Sequence, residues 1–162
     1  MISRSFRLLS AAAMLVLAAA CNSDPVSVPQ ADPATTQFAT ALNVNIATMT
    51  RTASGLYFRN AVLGPDTARV AAAGDSVTVR YTGWLSNGTQ FDSNRDAGEP
   101  PFGFTLGTRR VIAGWEEGLV GMRKGGRRIL VIPPSLAYGP DAYRGIPGNS
   151  ILVFDVEMLD ID

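Results

Sequence analysis

The 162-residue chain contains no histidine and a single cysteine, Cys21. Without histidine, the usual zinc ligand sets and Ser-His or Cys-His nucleophilic catalysis are excluded. One thiol allows no internal disulfide, so the fold must be held by its apolar core alone. Neither sign of charge dominates, Lys plus Arg equalling Asp plus Glu at 14 each. Binding a phosphate backbone requires a strong local excess of positive charge, so this balance speaks against a nucleic-acid partner. The N-terminal apolar stretch from Leu8 to Ala20 is too short to span a bilayer comfortably. What the chain does have is 46% apolar residues, enough for a sizeable core and, at this length, one compact domain plus a leader.

The leader shows a charge and hydrophobicity layout that suits export. Arg4 and Arg7 precede the apolar stretch, which ends in small residues, as a secretory signal peptide does over residues 1–20. The stretch stops at Cys21, and AAAC at residues 18–21 resembles a bacterial lipoprotein processing site, in which the cysteine receives lipid and becomes the mature N-terminus. Ala18 stands where such sites usually carry Leu, and the alternative is an ordinary cleaved signal that leaves a free thiol. The expectation is an exported protein of the bacterial cell envelope, held to a membrane through Cys21, with its domain in the periplasm or at the cell surface. Residues 21–36, with Pro25, Pro29 and Pro33 among Ser, Thr and Asp, read as an extended, lipid-anchored tether of about 3.1 Å per residue. Phe38, Leu42, Ile46 and Met49 then recur at spacings of four and three, which predicts a short amphipathic helix within residues 37–54.

From residue 55 onward the periodicity becomes that of strands. Leu56 to Leu63 reads as a strand closed by Gly64-Pro65-Asp66. Val77, Val79 and Tyr81 alternate with Thr78, Arg80 and Thr82, which turns Tyr81 inward. Asn87-Gly88 marks a tight turn. Ile129 to Ile132 is a short apolar run before Pro133-Pro134, consistent with a strand buried on both faces, and Leu152, Phe154, Val156 and Met158 share one face of a last strand. Between them, Ile112, Trp115, Leu119 and Met122 lie at helical spacing. Gly114 and Gly118 each cost that helix roughly 1 kcal/mol of propensity, which close packing against a sheet would explain. Arg123, Lys124, Arg127 and Arg128 read as a solvated basic face. The class is α+β, an antiparallel sheet with one short helix.

Two segments carry the chemistry: YTGWLSNGTQFD at residues 81–92 and VIAGWEEGLVGM at residues 111–122. They concentrate both tryptophans, an aromatic-acidic pair and helix-spaced apolar residues, a combination that suits a binding bowl with no nucleophile. Both segments resemble the FKBP-type peptidyl-prolyl isomerases, and PSLAYG at residues 134–139 and ILVFDVEML at residues 151–159 extend the match in the family's order. The resemblance runs from about residue 55 to the C-terminus. It implies a curved antiparallel β-sheet wrapped around one short α-helix, with the pocket between them. The implied reaction is rotation about an X-Pro bond during folding of exported proteins. No covalent bond breaks, and the barrier of about 18 to 20 kcal/mol reflects lost amide resonance. Turnover at about 1 to 1,000 per second would require removal of only about 3 to 7 kcal/mol, so neither cofactor nor metal is implied.

The resemblance assigns Trp115 to the pocket floor under the proline ring, with Tyr81, Phe91, Phe102, Val111, Ile112, Ile146 and Phe154 as walls. The Ile112 N–H, near a helix start where such groups lack intrahelical partners, and the Tyr138 hydroxyl are the implied donors. Asp92 is implied to polarise the rotating amide or to orient Tyr81. The implied partners are proline-containing polypeptides, with macrolides as inhibitors. Blander roles stand beside these: the aromatic residues fill a core in any β-rich domain, Asp92 could cap a turn, and Tyr81 could be a buried strand tyrosine. The rival function is a non-catalytic proline-peptide-binding or holdase lipoprotein. The chain departs from the common pattern at Ala97, where many members carry an arginine that pairs with the pocket aspartate, and at Glu99-Pro100-Pro101, which holds one extra residue. The loop at residues 139–148 is slightly short, with Tyr143 near the usual place of a histidine.

Overall fold

Strand alternation puts two sets of side chains to use, one on each face of a single sheet. The computed structural model describes residues 30–162. The leader, Cys21 and the start of the tether lie outside the described residues. Seven strands, β1 (Thr50–Arg51), β2 (Tyr57–Val62), β3 (Ser76–Leu85), β4 (Gln90–Ser93), β5 (Phe102–Thr105), β6 (Arg127–Ile132) and β7 (Leu152–Ile161), form one antiparallel sheet, with a short helix, α1 (Ala113–Gly118), packed on it. The strand order is β1-β2-β6-β7-β3-β4, with β5 paired to β3. The long β3 carries β5 along its first half and β4 along its second, so Phe102 and Asp92 both reach the neighbourhood of Tyr81.

The inner face packs on the helix. Val77, Val79, Leu130, Ile132, Leu152, Phe154, Val156 and Met158 join Trp115, Leu119 and Met122 in the main core, all 4% exposed or less. Gly114 and Gly118 permit this approach: a Cβ on Gly114 would run into the Ile132 side chain, and one on Gly118 would lie 2.8 Å from Leu130. The two glycines that weaken the isolated helix are therefore what allows it to seat on β6.

The basic run departs from the expected solvated face. Arg128 is 5% exposed, because it lies on the inward period of β6. Its Nη1 donates to the Gly118 and Val120 carbonyls at 2.7 and 3.1 Å, its Nε to Asn60 Oδ1, and its guanidinium covers the Phe58 ring. These carbonyls close α1, where the helix dipole is negative, so they stand in for a counterion. Burial lowers the Arg128 guanidinium to about 10, leaving it charged at neutral pH. Arg123, Lys124 and Arg127 pair with Asp66, Asp160 and Asp155.

The outer face is covered by the segment expected to be tether and helix. No continuous amphipathic helix forms within residues 37–54. Two 3₁₀ turns, Thr40–Leu42 and Ile46–Thr48, are separated by Asn43 in the left-handed region (φ 48°), and the Asn45 side chain accepts from the Ala47 N–H. Asn side chains compete for backbone partners in this way, and they end a helix as readily as they cap one. Phe38, Leu42, Ile46 and Met49 nevertheless share one environment: they pack with Val44 and Ala31 over Tyr57, Val131, Ile151 and Val153. Their spacing marks a strap pressed on the sheet. The strap begins within the expected tether, since Pro33 is buried and Asp32 anchors a turn by accepting from the Ala34 N–H. β6 is buried on both faces as expected, Leu130 and Ile132 inward and Val131 outward.

Candidate active site

The inner face leaves a bowl of about 360 Å³ between the sheet and the start of α1. Its lining is Tyr81, Phe91, Asp92, Phe102, Arg110, Val111, Ile112, Trp115, Tyr138, Tyr143 and Phe154. Nine of the residues assigned from sequence therefore meet around one cavity. The tenth, Ile146, is 5% exposed and lines an adjoining recess with Phe91, Asp92, Tyr138, Tyr143 and Arg144. Two lining residues lay outside the assigned set. Arg110 had only its position next to Val111 to mark it, and Tyr143 only its place in the loop.

Trp115 lies at the centre of the aromatic wall, with Tyr81 edge-on at 4.9 Å and Phe154 edge-on at 5.2 Å between ring centroids. Phe91 meets Phe154 edge to face at 5.5 Å. Such pairs each contribute about 0.5–1.5 kcal/mol beyond area burial and fix ring orientation. Gly83 makes the last pair possible, because a Cβ there would come within 2.7 Å of Phe154 and 2.8 Å of Phe91. The rings thus surround Trp115 with apolar surface on the bowl's inner side.

The polar atoms are few and placed by backbone geometry. The Tyr81 hydroxyl donates to Asp92 Oδ2 at 2.7 Å. Asp92 forms no ion pair among the described residues, in keeping with Ala97 at the place of the missing arginine. Arg95 turns to the outer face, 2.9 Å from Glu157 and 3.5 Å from Asp155. Burial, then the bond to Asp92 and its charge, raise the Tyr81 phenol well above the ordinary tyrosine range. Burial also raises Tyr138, followed by Tyr143 and Asp92, with Arg144 opposing. Asn94 holds the main chain of Tyr81, accepting its N–H on Oδ1 at 2.7 Å and donating through Nδ2 to the Val79 and Pro100 carbonyls. This buried amide, absent from the assigned residues, fastens the loop with the extra residue to β3. Only its position after Asp92 and Ser93 could have signalled it.

Ile112 is the N-cap of α1, with its carbonyl accepting from Trp115 and Glu116, and its own N–H donates to no acceptor among the described residues. On the opposite side the Tyr138 ring stacks on Tyr143 with centroids 4.3 Å apart and planes at 13°, and the Arg144 guanidinium lies 5.4 Å from the Tyr143 ring centroid. The Ile112 N–H and the Tyr138 hydroxyl thus belong to lining residues of the bowl and have no protein acceptor among the described residues. Among the described residues no group of three or more His, Cys, Asp or Glu side chains is arranged to hold a metal ion.

Comparison with known proteins covers this same region. The sequence model of the FKBP-type peptidyl-prolyl cis-trans isomerases matches residues 67–159, more than half of the chain. FK506-binding protein 4 of Chaetomium thermophilum is 52% identical over 95 residues, spanning 59% of this chain and 19% of that protein. The FKBP-type peptidyl-prolyl cis-trans isomerase FkpA of Buchnera aphidicola is 44% identical over 113 residues, 70% of this chain and 43% of that one. The chain thus spans about a fifth of the fungal relative's length and under half of the bacterial one's. Among solved structures, FkpA from Escherichia coli superposes with a TM-score of 0.64 at 43% identity, covering 70% of this chain and 51% of that chain. AtFKBP13 superposes with a TM-score of 0.64 at 35% identity and is covered over 98% of its length.

Proposed function

The chain belongs to the family of FKBP-type peptidyl-prolyl cis-trans isomerases, and from that membership we propose that it accelerates rotation about X-Pro bonds during the folding of exported polypeptides. The observation that carries this reading is the bowl itself: an aromatic floor at Trp115 with the Ile112 N–H and the Tyr138 hydroxyl free above it. A twisted X-Pro amide has lost the charge separation that water solvates well, so an apolar enclosure favours it over the planar forms. A donor to the neighbouring carbonyl holds one side of the bond while the other turns. Asp92, fixed by the Tyr81 hydroxyl, adds a negative charge beside the rotating amide.

The accompanying assignments belong to the same proposal. Residues 1–20 direct export, Cys21 carries the lipid, and the domain acts at the membrane of a bacterial envelope. Macrolides would compete for the bowl, with an affinity altered by Ala97 and Tyr143. In a protease-coupled assay on short X-Pro peptides, the purified chain is expected to accelerate cis-to-trans conversion. A folded chain inactive toward a broad peptide panel would overturn the proposal.

A further inference from the structure

The basic residues of this chain are mostly spoken for. Arg69, Arg95, Arg123, Lys124 and Arg127 sit in ion pairs, and Arg128 and Arg80 donate to carbonyls. Arg51, over the Tyr57 ring, and Arg59, in the groove beside Trp84, form no ion pair either, and three more such arginines gather around the bowl. Arg110 lines its rim on the Val111 side, and Arg144 lines the recess that opens off it on the Tyr138 side. Both are exposed, and neither meets a carboxylate among the described residues. Arg109, also exposed and without an ion pair, lies in the shallow groove beside Val111 and Glu116. Four carboxylates share the region. Asp92 takes the Tyr81 hydroxyl, Glu116 takes the Gly107 N–H, Glu117 takes the Ser54 hydroxyl, and Asp141 is exposed in the Arg144 loop.

We propose that the site selects substrates carrying a carboxylate side chain next to the proline, which Arg110 and Arg144 recognise from the two sides of the bowl. The inference rests on the isomerase reading above. With the proline on Trp115, the flanking residues of an extended peptide lie only about 3.3–3.6 Å further along per residue, so their side chains come out at the rim. Arg144 is held there by its place over Tyr143, which itself stacks on Tyr138, so its charge stays beside the donor hydroxyl. An exposed charge pair is worth about two- to fivefold in binding and weakens with salt. Selection of this size discriminates among flanking residues without altering the chemistry on the floor.

The test compares kcat/KM on matched peptides with Glu, Gln or Lys before proline, and a second set with the same residues after it. At low ionic strength the Glu peptide is expected to exceed the Gln peptide about two- to fivefold in at least one set, with Lys the poorest and the spread shrinking in salt. In the Arg110→Gln, Arg144→Gln double variant the Glu-to-Gln ratio should approach one, and Arg144→Glu should turn the preference toward Lys, with thermal melts confirming the fold. Equal kcat/KM for all three residues in both sets would overturn this inference and leave the isomerase reading standing. Inactivity on every peptide would overturn both.

Discussion

At the scale of single residues, the energy required of this site is small, and that sets what each side chain can contribute. If about 3 to 7 kcal/mol of barrier lowering suffices, one hydrogen bond worth about 1 to 2 kcal/mol is a large share of it. Asp92→Ala and Tyr138→Phe are accordingly expected to lower kcat/KM by about five- to thirtyfold each. Neither should shift the melting temperature appreciably, because Asp92 lies outside the core and Tyr138→Phe keeps the ring that packs against it. A melting temperature that falls sharply in Asp92→Ala with kcat/KM unchanged would return that residue to a turn-capping role. The pH profile follows from the same atoms. Both phenols are shifted upward, so each hydroxyl remains a protonated donor to higher pH than a free tyrosine, and donation is lost only as pH rises through the raised pKa. With no histidine in the chain, kcat/KM should be flat from about pH 6.5 to 9.5 and decline only above about pH 10. A titration near neutrality in the pH-rate profile would mean that some other group controls turnover.

At the scale of elements, α1 is a helix that tertiary contact specifies against its own propensity. Replacing Gly114 by Ala would add about 1 kcal/mol of helix preference. It would also drive a methyl group into the fully buried Ile132 side chain, and overpacking of this kind costs about 1–3 kcal/mol. The second effect should win, so Gly114→Ala is expected to lower stability in chemical denaturation, and because α1 carries Trp115 and is capped by Ile112 it should lower kcat/KM as well. A stabilised variant with full activity would show that the helix can ride outward without consequence. The glycine spacing was legible in the sequence because a helix seated on a sheet leaves no room for a Cβ there. The strands at residues 76–85 and 152–161 were legible too, since Val77, Val79 and Tyr81, and Leu152, Phe154, Val156 and Met158, recur at period two, although the last strand is buried on both faces over most of its length. Arg128 was not: nothing in a run of four basic residues says which one falls on the inward period, and burial became tolerable only because the end of α1 supplies carbonyls. The lining of the bowl was legible wherever a motif fixed it, while Arg110, Tyr143 and Asn94 depend on loop paths that spacing does not determine.

At the scale of the whole molecule, the strap decides how the domain is presented. Its apolar residues looked helical because two turns separated by Asn43 happen to repeat at three and four, whereas their shared burial comes from the outer face of the sheet. Ala31 packs on that face, and the bowl opens on the other, so the described residues begin on the side away from the bowl. The nine peptide steps from Cys21 to residue 30 can extend at most about 30 Å. A lipid on Cys21 would therefore hold the strap side toward the membrane and leave the bowl facing solvent. Two or more acyl chains are required for stable anchoring, since one binds only marginally. Metabolic labelling with a fatty-acid analogue is expected to mark the wild type and not Cys21→Ser, and fractionation should find the variant released from the membrane. Reconstituted on vesicles, the anchored chain should act on soluble peptides with a kcat/KM within about twofold of Cys21→Ser in solution, since the bowl opens on the face away from the strap. A severalfold loss on anchoring would mean that the bowl faces the bilayer, and an unlabelled, soluble wild type would mean that Cys21 carries no lipid at all.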